Sequence, residues 1–307
     1  MKLFKNRGDI YISKANISGS KQAKILYALL AVIIVFTAVF LILLSQRYSS
    51  AAEFFGEGEV TVTEQSIANE ENLPKIEGKK NFLIFETDDS SKIIHYIFLL
   101  QGDKDSLAYK TAALSPDMKI EKKSLSDIFE EGGGAALQTA LIEYFGFEID
   151  YYAQFEMGDF VEFASKLGTF VYSSPEKIHF SGGTSDDKYT IKISEGEQNI
   201  NGKEVSNLLR YYSQERKNYA AENELILRAI SELFNSENFE DCESLFRLFV
   251  KSCKTDITVR DFENGKNALL VFCTKNTDVT LYSEAPQYEG DAMSPQSIKS
   301  VTGYFSK

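Results

Sequence analysis

The chain of 307 residues contains no tryptophan, five prolines, three cysteines and two histidines. Because His95 and His179 are the only histidines, a histidine-rich metal centre is excluded. The cysteines, Cys242, Cys253 and Cys273, lack the short paired spacing of a zinc site. Cys242 and Cys253 could form a disulfide, or all three could be ordinary buried thiols. The low proline content together with 43% hydrophobic residues is typical of an ordered globular protein.

Charged residues are absent from residues 25–44, whose sequence is ILYALLAVIIVFTAVFLILL. A helix that rises about 1.5 Å per residue would carry this segment across the ~30 Å hydrocarbon core of a bilayer. The apolar run is longer than the roughly 7 to 15 apolar residues of a secretory signal. We therefore predict one transmembrane helix at 25–44; a cleaved signal peptide and a buried core helix are the alternatives.

Residues 1–24 carry six basic side chains and one acidic side chain, whereas acidic residues predominate after the apolar segment. This asymmetry predicts a cytoplasmic basic tail at 1–24 and an extracytoplasmic domain, in a single-pass protein of the cell membrane. Subtracting the tail from the chain's 33 basic and 45 acidic residues leaves 27 and 44, a net charge of −17. A region this acidic argues against a nucleic-acid partner, whose phosphates need neutralising cations.

The extracytoplasmic part divides into a polar segment and an ordered domain. Residues 45–80 lack a sustained apolar period and are predicted to be a flexible linker. From residue 81 the runs NFLIFE, IIHYIFLL and LAYKTAAL predict strands, and AALQTALIEYF and MGDFVEFASKL predict helices that end at Gly146 and Gly168. We predict that 81–307 form an α/β fold, a three-layer α/β/α domain with a central mixed sheet, preceded by one transmembrane helix.

Four phrases in this domain resemble the LytR-CpsA-Psr family of bacterial cell-envelope proteins: NFLIFETDDS, AALSPDMKI, GFEIDYYAQFEMGDFVEFASKLGTFVY and GEQNINGKEVSNLLRYY. The resemblance implies a short cytoplasmic N-terminus, one membrane helix and an extracytoplasmic α/β domain. Active members are similar to ligases that take a glycan from an undecaprenyl pyrophosphate carrier and join it to peptidoglycan with magnesium. The implied partners are therefore the cell membrane, a polyprenyl-linked glycan or peptidoglycan, and another envelope protein.

Three residues match functional positions of the family. Asp88 matches the first acid, Asp117 the acid of the second loop, and Arg210 the arginine near the end of the later helix. If activity survives, the resemblance implies that Asp88, Asp117 and Arg210 are catalytic, with Asp88 and Asp117 holding Mg²⁺. Arg210, with Arg216 and Lys217 nearby, would then bind the phosphates, because arginine matches phosphate oxygens bidentately.

Other positions depart from the family pattern, chiefly where it carries arginines. The residues that stand there are Ser90, Ile93, Ile94, His95, Pro116, Tyr212, Tyr219 and Glu222, and Glu224 replaces a glutamine. Each lost charge-assisted phosphate contact costs about 1.5 to 3 kcal/mol. An ionised Glu222 would also repel a pyrophosphate.

The matching residues also have purely structural interpretations. Asp88 and Asp117 suit turns, and Arg210 suits a helix C-terminus, where a cation interacts favourably with the helix dipole. His95 within IIHYIF is predicted to be a core or edge-strand histidine, and EEGGGAA lacks the lysine and hydroxyl residue of a phosphate-binding loop.

The leading hypothesis is a family member that is catalytically impaired and acts as a binding, scaffold or regulatory protein in cell-wall glycopolymer assembly. One alternative is a divergent, active glycopolymer–peptidoglycan ligase in which Arg210, Arg216 and Lys217 cluster around Asp88 and Asp117. A second alternative is an extracellular sensor whose cytoplasmic tail is an interaction peptide. Magnesium is expected only if the protein is active.

Overall fold

A computed structural model describes residues 72–88, 93–183 and 188–306. The predicted tail, the predicted transmembrane helix, residues 45–71 of the predicted linker and Ser90 lie outside the described residues. Within the described ranges, no helix is long and apolar enough to cross a bilayer.

Fourteen strands occur in the described part of the chain. They are β1 (Lys79–Thr87), β2 (Ile94–Asp103), β3 (Ala108–Leu114), β4 (Lys119–Ile120), β5 (Lys123–Ser124), β6 (Tyr151–Glu156), β7 (Phe170–Ser174), β8 (Ile178–Gly182), β9 (Tyr189–Ile193), β10 (Gly196–Ile200), β11 (Cys253–Thr255), β12 (Thr280–Ser283), β13 (Tyr288–Glu289) and β14 (Ala292–Met293). Six of these strands form one sheet in the order β11-β6-β1-β2-β3-β12, and the other eight form two-stranded pairs.

Eight α-helices accompany them in the described ranges. They are α1 (Leu125–Phe145), α2 (Met157–Leu167), α3 (Gly202–Arg210), α4 (Tyr219–Leu233), α5 (Ser236–Glu240), α6 (Cys242–Ser252), α7 (Val259–Thr274) and α8 (Pro295–Phe305). A five-residue π-helix, Tyr211–Glu215, follows α3 directly, and a short 3₁₀-helix, Asn276–Asp278, follows α7.

The six-stranded sheet is mixed, as predicted. Strand β2 is antiparallel to both β1 and β3, whereas β6 is parallel to β1 and β12 is parallel to β3. Strands β1 and β2 are long apolar runs because they lie in the centre of the sheet and are covered on both faces. Along β2, for example, Tyr96 and Phe98 belong to one buried cluster, and Ile97 and Leu99 to the other.

One face of the sheet is covered by α1 and α8. Side chains from α1, such as Leu137 and Leu141, pack in one cluster with Leu83 and Phe85 of β1. Helix α1 begins with a capping box formed by Ser124 and Asp127, and it ends at Gly146, whose φ is 73°. These are the N- and C-terminal signals that the sequence predicts for a helix.

The opposite face is covered by α3, the π-helix, α4 and strands β7 to β10. Tyr96, Phe98 and Ala113 of the sheet pack there with residues such as Leu208 and Leu225. Helical layers therefore lie on both sides of the central sheet. The possible disulfide between Cys242 and Cys253 is not formed, and all three cysteines are free thiols.

Candidate functional site

Asp88 and Asp117 lie at the same end of the central sheet. Strands β1 and β3 run in the same direction, both antiparallel to β2, so the residues after their last positions flank the start of β2. The backbone N–H of Asp88 donates to Ile93 O at 3.1 Å, and Ile93 N–H donates to Asp88 Oδ1 at 3.4 Å. These bonds join Asp88 to Ile93, which stand on either side of residues 89–92 in the sequence.

The carboxylate of Asp117 forms an ion pair with Lys217. Lys217 Nζ lies 2.9 Å from Asp117 Oδ2, and both side chains are more than half exposed. The hydrogen bond that Lys217 donates to Asp117 raises the pKa of Lys217. An exposed pair of this kind contributes about 0 to 1 kcal/mol to stability. The structure therefore brings these two predicted residues together.

Arg210 is the last residue of α3, and it is only 1% exposed. Its guanidinium carbon lies 4.5 Å from the ring centroid of Tyr189, and one guanidinium nitrogen lies 2.7 Å from Met157 Sδ. Arg216, in contrast, points outward and lies 3.6 Å from Glu176 Oε1. The three cations that were predicted to bind phosphate thus have different surroundings. Arg210 lies in the core, Arg216 lies near Glu176, and Lys217 pairs with Asp117.

Two positions where the family resemblance expects arginine hold buried tyrosines. The hydroxyl of Tyr212 lies 3.0 Å from that of Tyr172, and burial raises the pKa of both phenols. The ring of Tyr219 lies 5.2 Å from that of Tyr288, measured between centroids. Since Tyr212 is 4% and Tyr219 is 7% exposed, both side chains fill the core.

Glu222 on α4 stands at the third position where the family resemblance expects arginine, and it is fully buried. Neither of its carboxyl oxygens accepts a hydrogen bond from the described residues. Burial raises the pKa of Glu222 well above its ordinary value, and the nearby Ser213 hydroxyl opposes this only in part. Burial therefore favours the uncharged form of this carboxyl. A carboxyl that is enclosed in the core offers no charge-assisted hydrogen bond to a phosphate.

A second buried acid, Glu86 near the end of β1, was not predicted as a functional residue. Its Oε2 accepts hydrogen bonds from Tyr96 at 3.2 Å and from Ser206 at 3.0 Å. The residue is 0% exposed and lies two positions before Asp88. A signal was present in the sequence, because the run NFLIFE ends in an acid within a strand that is otherwise apolar.

The start of β2 is joined to the π-helix by His95. The Nδ1 atom of His95 lies 3.3 Å from Gln214 Nε2, and the histidine is 3% exposed. His95 is therefore a core histidine at the start of its strand. The π-helix differs from an α-helix in its backbone pairing, since Arg216 N–H donates to Tyr211 O, five residues earlier.

An open cleft of about 510 Å³ lies beside the Asp117–Lys217 pair. Its lining includes Ser115, Tyr219, Tyr288 and Asp291, and Asp291 is 2.9 Å from Lys119. Among the described residues, no group of three or more His, Cys, Asp or Glu side chains could hold a metal ion. Mg²⁺ usually takes one or two carboxylates together with phosphate oxygens. Asp117 offers one such carboxylate, and a metal there would replace the ammonium of Lys217.

Comparison with known proteins identifies the family. The model of the LytR_cpsA_psr family matches residues 105–296, a range that contains Asp117 and Arg210 and begins after Asp88. An uncharacterized protein of Staphylococcus aureus is 24% identical over 182 residues. That match covers 59% of this chain and 42% of the relative, so the chain spans less than half of the relative's length.

Solved structures share the fold. A protein from Eubacterium siraeum, named as a transcription regulator, superimposes with a TM-score of 0.65 and 15% identity over 78% of this chain and 96% of its own. TagT, solved bound to LI-WTA, superimposes with a TM-score of 0.55 and 11% identity over 74% of this chain and 89% of its own. With the family match covering more than half of its residues, this chain belongs to the LytR-CpsA-Psr family.

Proposed function

We propose that this protein acts in cell-wall glycopolymer assembly as a binding, scaffold or regulatory protein that does not catalyse transfer. It would be anchored in the cell membrane by residues 25–44, with the N-terminus in the cytoplasm and the domain outside. Family membership supports the cellular process, as does the likeness to TagT, which was solved with LI-WTA. The anchor rests on the sequence pattern.

One observation supports the proposed loss of catalysis. Tyr212, Tyr219 and Glu222 stand where the family resemblance expects arginines, and all three side chains are buried. None of them can donate a charge-assisted hydrogen bond to a phosphate. Losing even two of these three contacts would weaken phosphate binding by about 3 to 6 kcal/mol, or roughly 10² to 10⁴ in affinity. Arg210 is retained, but its guanidinium is packed against Tyr189 and Met157.

The proposal is tested with the full chain in nanodiscs, supplied with a polyprenyl pyrophosphate-linked glycan, peptidoglycan and Mg²⁺. We expect no glycan transfer under conditions in which an active ligase of the family gives product. Transfer by this chain that is lost in Asp88→Ala, but kept in Asp278→Ala, would overturn the proposal. Asp278 lies in the 3₁₀-helix and is a matched aspartate outside the candidate site.

A second experiment tests the non-catalytic role in cells. In a strain that lacks the gene, wild-type chain should restore the amount of wall glycopolymer. A double variant, Asp88→Ala with Asp117→Ala, should restore it to the same extent, because the proposed role needs no metal or phosphate chemistry. Restoration by wild type together with failure of the folded double variant would contradict the proposal.

The Asp117–Lys217 pair favours a second candidate, a divergent ligase. Lys217 and Asp117 meet at the end of the sheet that also carries Asp88, beside an open cleft. In this candidate Asp88 and Asp117 would hold Mg²⁺ and Arg210 would support the phosphates. The same transfer assay distinguishes the two, since activity that is lost in Lys217→Ala would favour the ligase. The sensor alternative concerns residues 1–24, which lie outside the described residues, and it stays a prediction.

A further inference from the structure

The backbone of Lys217 adopts a left-handed conformation, with a φ of 46°. Residues other than glycine avoid this region, because their Cβ atom comes too close to a carbonyl oxygen. Three such residues occur in the described part of the chain, and the other two, Leu107 and Glu121, lie in the hairpin connections β2–β3 and β4–β5. Lys217 lies between two helical segments instead, so no hairpin turn accounts for its conformation.

A second departure from regular geometry directly precedes Lys217. It is the π-helix, after which Asn218 N–H donates to Tyr212 O, six residues earlier, at 2.8 Å. Helix α4 then begins at once, with the side chain of Asn218 accepting a hydrogen bond from Ala221 N–H. The chain is therefore fixed on both sides of residue 217. Short π-helices and strained backbone of this kind are frequent at functional sites.

This backbone holds the ammonium of Lys217 against Asp117. Lys217 Nζ lies 2.9 Å from Asp117 Oδ2, although the two residues are 100 positions apart in the sequence. Both side chains are more than half exposed, and exposed ion pairs stabilise a fold too little to offset a strained backbone. The position of the ammonium is better explained by a role at the end of the sheet where Asp88 and Asp117 lie.

Magnesium does not fit this arrangement of charges. The family resemblance implies that Asp88 and Asp117 hold Mg²⁺, yet the carboxylate of Asp117 already accepts a hydrogen bond from Lys217. A magnesium ion on the same carboxylate would lie beside the ammonium, and the two cations would repel each other. Asp291, which lines the cleft, is engaged in the same way by Lys119. Lysines of the chain itself therefore neutralise both Asp117 and Asp291.

We infer that the ammonium of Lys217 takes the place of the divalent cation that the family resemblance implies. Asp117 then receives its positive charge from the chain itself, and the site binds its ligand without magnesium. An ammonium has three N–H donors, of which Asp117 uses one. The other two are left for oxygen atoms of a ligand in the cleft that Lys217 lines. The inference rests on the proposed function for the location of the site, but its test needs no glycan transfer.

The test measures the binding of Mn²⁺, a spectroscopic substitute for Mg²⁺, to the full chain in nanodiscs of zwitterionic phosphatidylcholine. Electron paramagnetic resonance gives the concentration of free Mn²⁺. Lys217→Met replaces the ammonium by an uncharged side chain of similar length. We expect this variant to bind one Mn²⁺ at least about tenfold more tightly than wild type, because the repulsion by one neighbouring cation is removed. Equal affinities in wild type and Lys217→Met would overturn the inference.

A second variant guards against a change of fold. Glycine adopts a left-handed backbone without strain, so Lys217→Gly removes the ammonium and keeps the local conformation. This variant should gain the same Mn²⁺ site, while circular dichroism checks that the fold is retained. Adding Asp117→Asn to either variant should remove the gained site. The inference fails if folded Lys217→Gly binds no more tightly than wild type, or if the gained binding persists without the Asp117 carboxylate.

Lys123→Met is the matched control. Lys123 pairs with Glu131 on α1, and these two side chains are more than half exposed, like those of Lys217 and Asp117. The substitution also frees one exposed carboxylate, and Mn²⁺ binding should stay as in wild type. An equal gain in Lys123→Met would mean that any freed carboxylate binds the ion, which would overturn the inference. Glycan transfer by wild type would contradict the proposed function but leave this comparison unchanged, so the two failures are distinguishable.

Discussion

The hydroxyl oxygens of Tyr172 on β7 and Tyr212 in the π-helix lie 3.0 Å apart, inside the core. Tyr212 occupies a position where active relatives are expected to carry arginine. The pair joins the π-helix to the two-stranded β7–β10 unit. An arginine at position 212 would lose this bond and would have to bury its charge or leave the core.

Restoring the arginine should therefore destabilise the fold. We expect Tyr212→Arg to lower the free energy of unfolding by about 3 kcal/mol or more, because a buried charge is left without a partner. Tyr212→Phe keeps the ring and should cost about 1 kcal/mol. Urea denaturation followed by circular dichroism measures both values. A Tyr212→Arg variant as stable as wild type would mean that the position can present an arginine to a ligand.

The buried carboxyl of Glu222 should make stability depend on pH. Burial raises the pKa of Glu222 above the unfolded value of 4.5. The contribution of this carboxyl to the free energy of unfolding is therefore fully present below pH 4.5, and it is lost as pH rises through the folded pKa. Glu222→Gln cannot ionise, so its stability relative to wild type should improve with rising pH in this window. The slope should approach about 1.4 kcal/mol per pH unit.

The measurement for Glu222 is urea denaturation at a series of pH values above 4.5. Glu263→Gln is the matched control, since Glu263 is an exposed glutamate on α7. This control should follow the wild-type pH dependence. If Glu222→Gln also follows wild type at every pH, then the carboxyl is not held neutral by burial.

The side chain of Asn223 links β3 to the chain just after β12, and so it continues the pairing of these two strands. Its Oδ1 accepts a hydrogen bond from Ala113 N–H at 2.7 Å, and its Nδ2 donates to Glu284 O at 2.8 Å. Asn223→Ala should lower the free energy of unfolding by about 2 to 4 kcal/mol, because one buried and one partly buried backbone group lose their partner. Asn264→Ala, on the exposed side of α7, should change it by less than about 0.5 kcal/mol. Similar values for both variants would contradict this role.

The thiols should be slow to react in the folded protein. Burial raises the pKa of Cys253 and of Cys273 to about 12, and Cys242 is also buried. The reactive thiolate is therefore scarce at pH 8. Ellman's reagent should label three thiols rapidly in denaturant and much more slowly in native protein. Rapid native labelling, or fewer than three thiols after denaturation without reductant, would contradict this expectation.

The central sheet was predictable because its strands carry strong local signals. The runs that became β1, β2 and β3 are short segments rich in apolar and β-forming residues, and Gly146 marks the end of α1 where a left-handed residue is needed. The position of Asp88 after a strand was also evident. Such features depend on nearest neighbours in the sequence, and these are what a single sequence records best.

The environment of the site could not be predicted in the same way, because burial of a single side chain depends on the tertiary packing. Arg210 was expected to reach a ligand, yet it packs against Tyr189 and Met157 from distant parts of the chain. A local clue existed for Glu222. It lies four residues before Ile226 and eight before Ile230, so the 3.6-residue period places it on the apolar face of α4.

The direction of β1 has a consequence for how the chain passes through the domain. The strand begins at Lys79 and ends at Thr87, just before Asp88. Nine residues at about 3.3 Å each give a separation of roughly 30 Å between the two ends. The chain therefore enters the sheet at the end opposite to Asp88 and Asp117, and a full strand length separates the point of entry from these two acids.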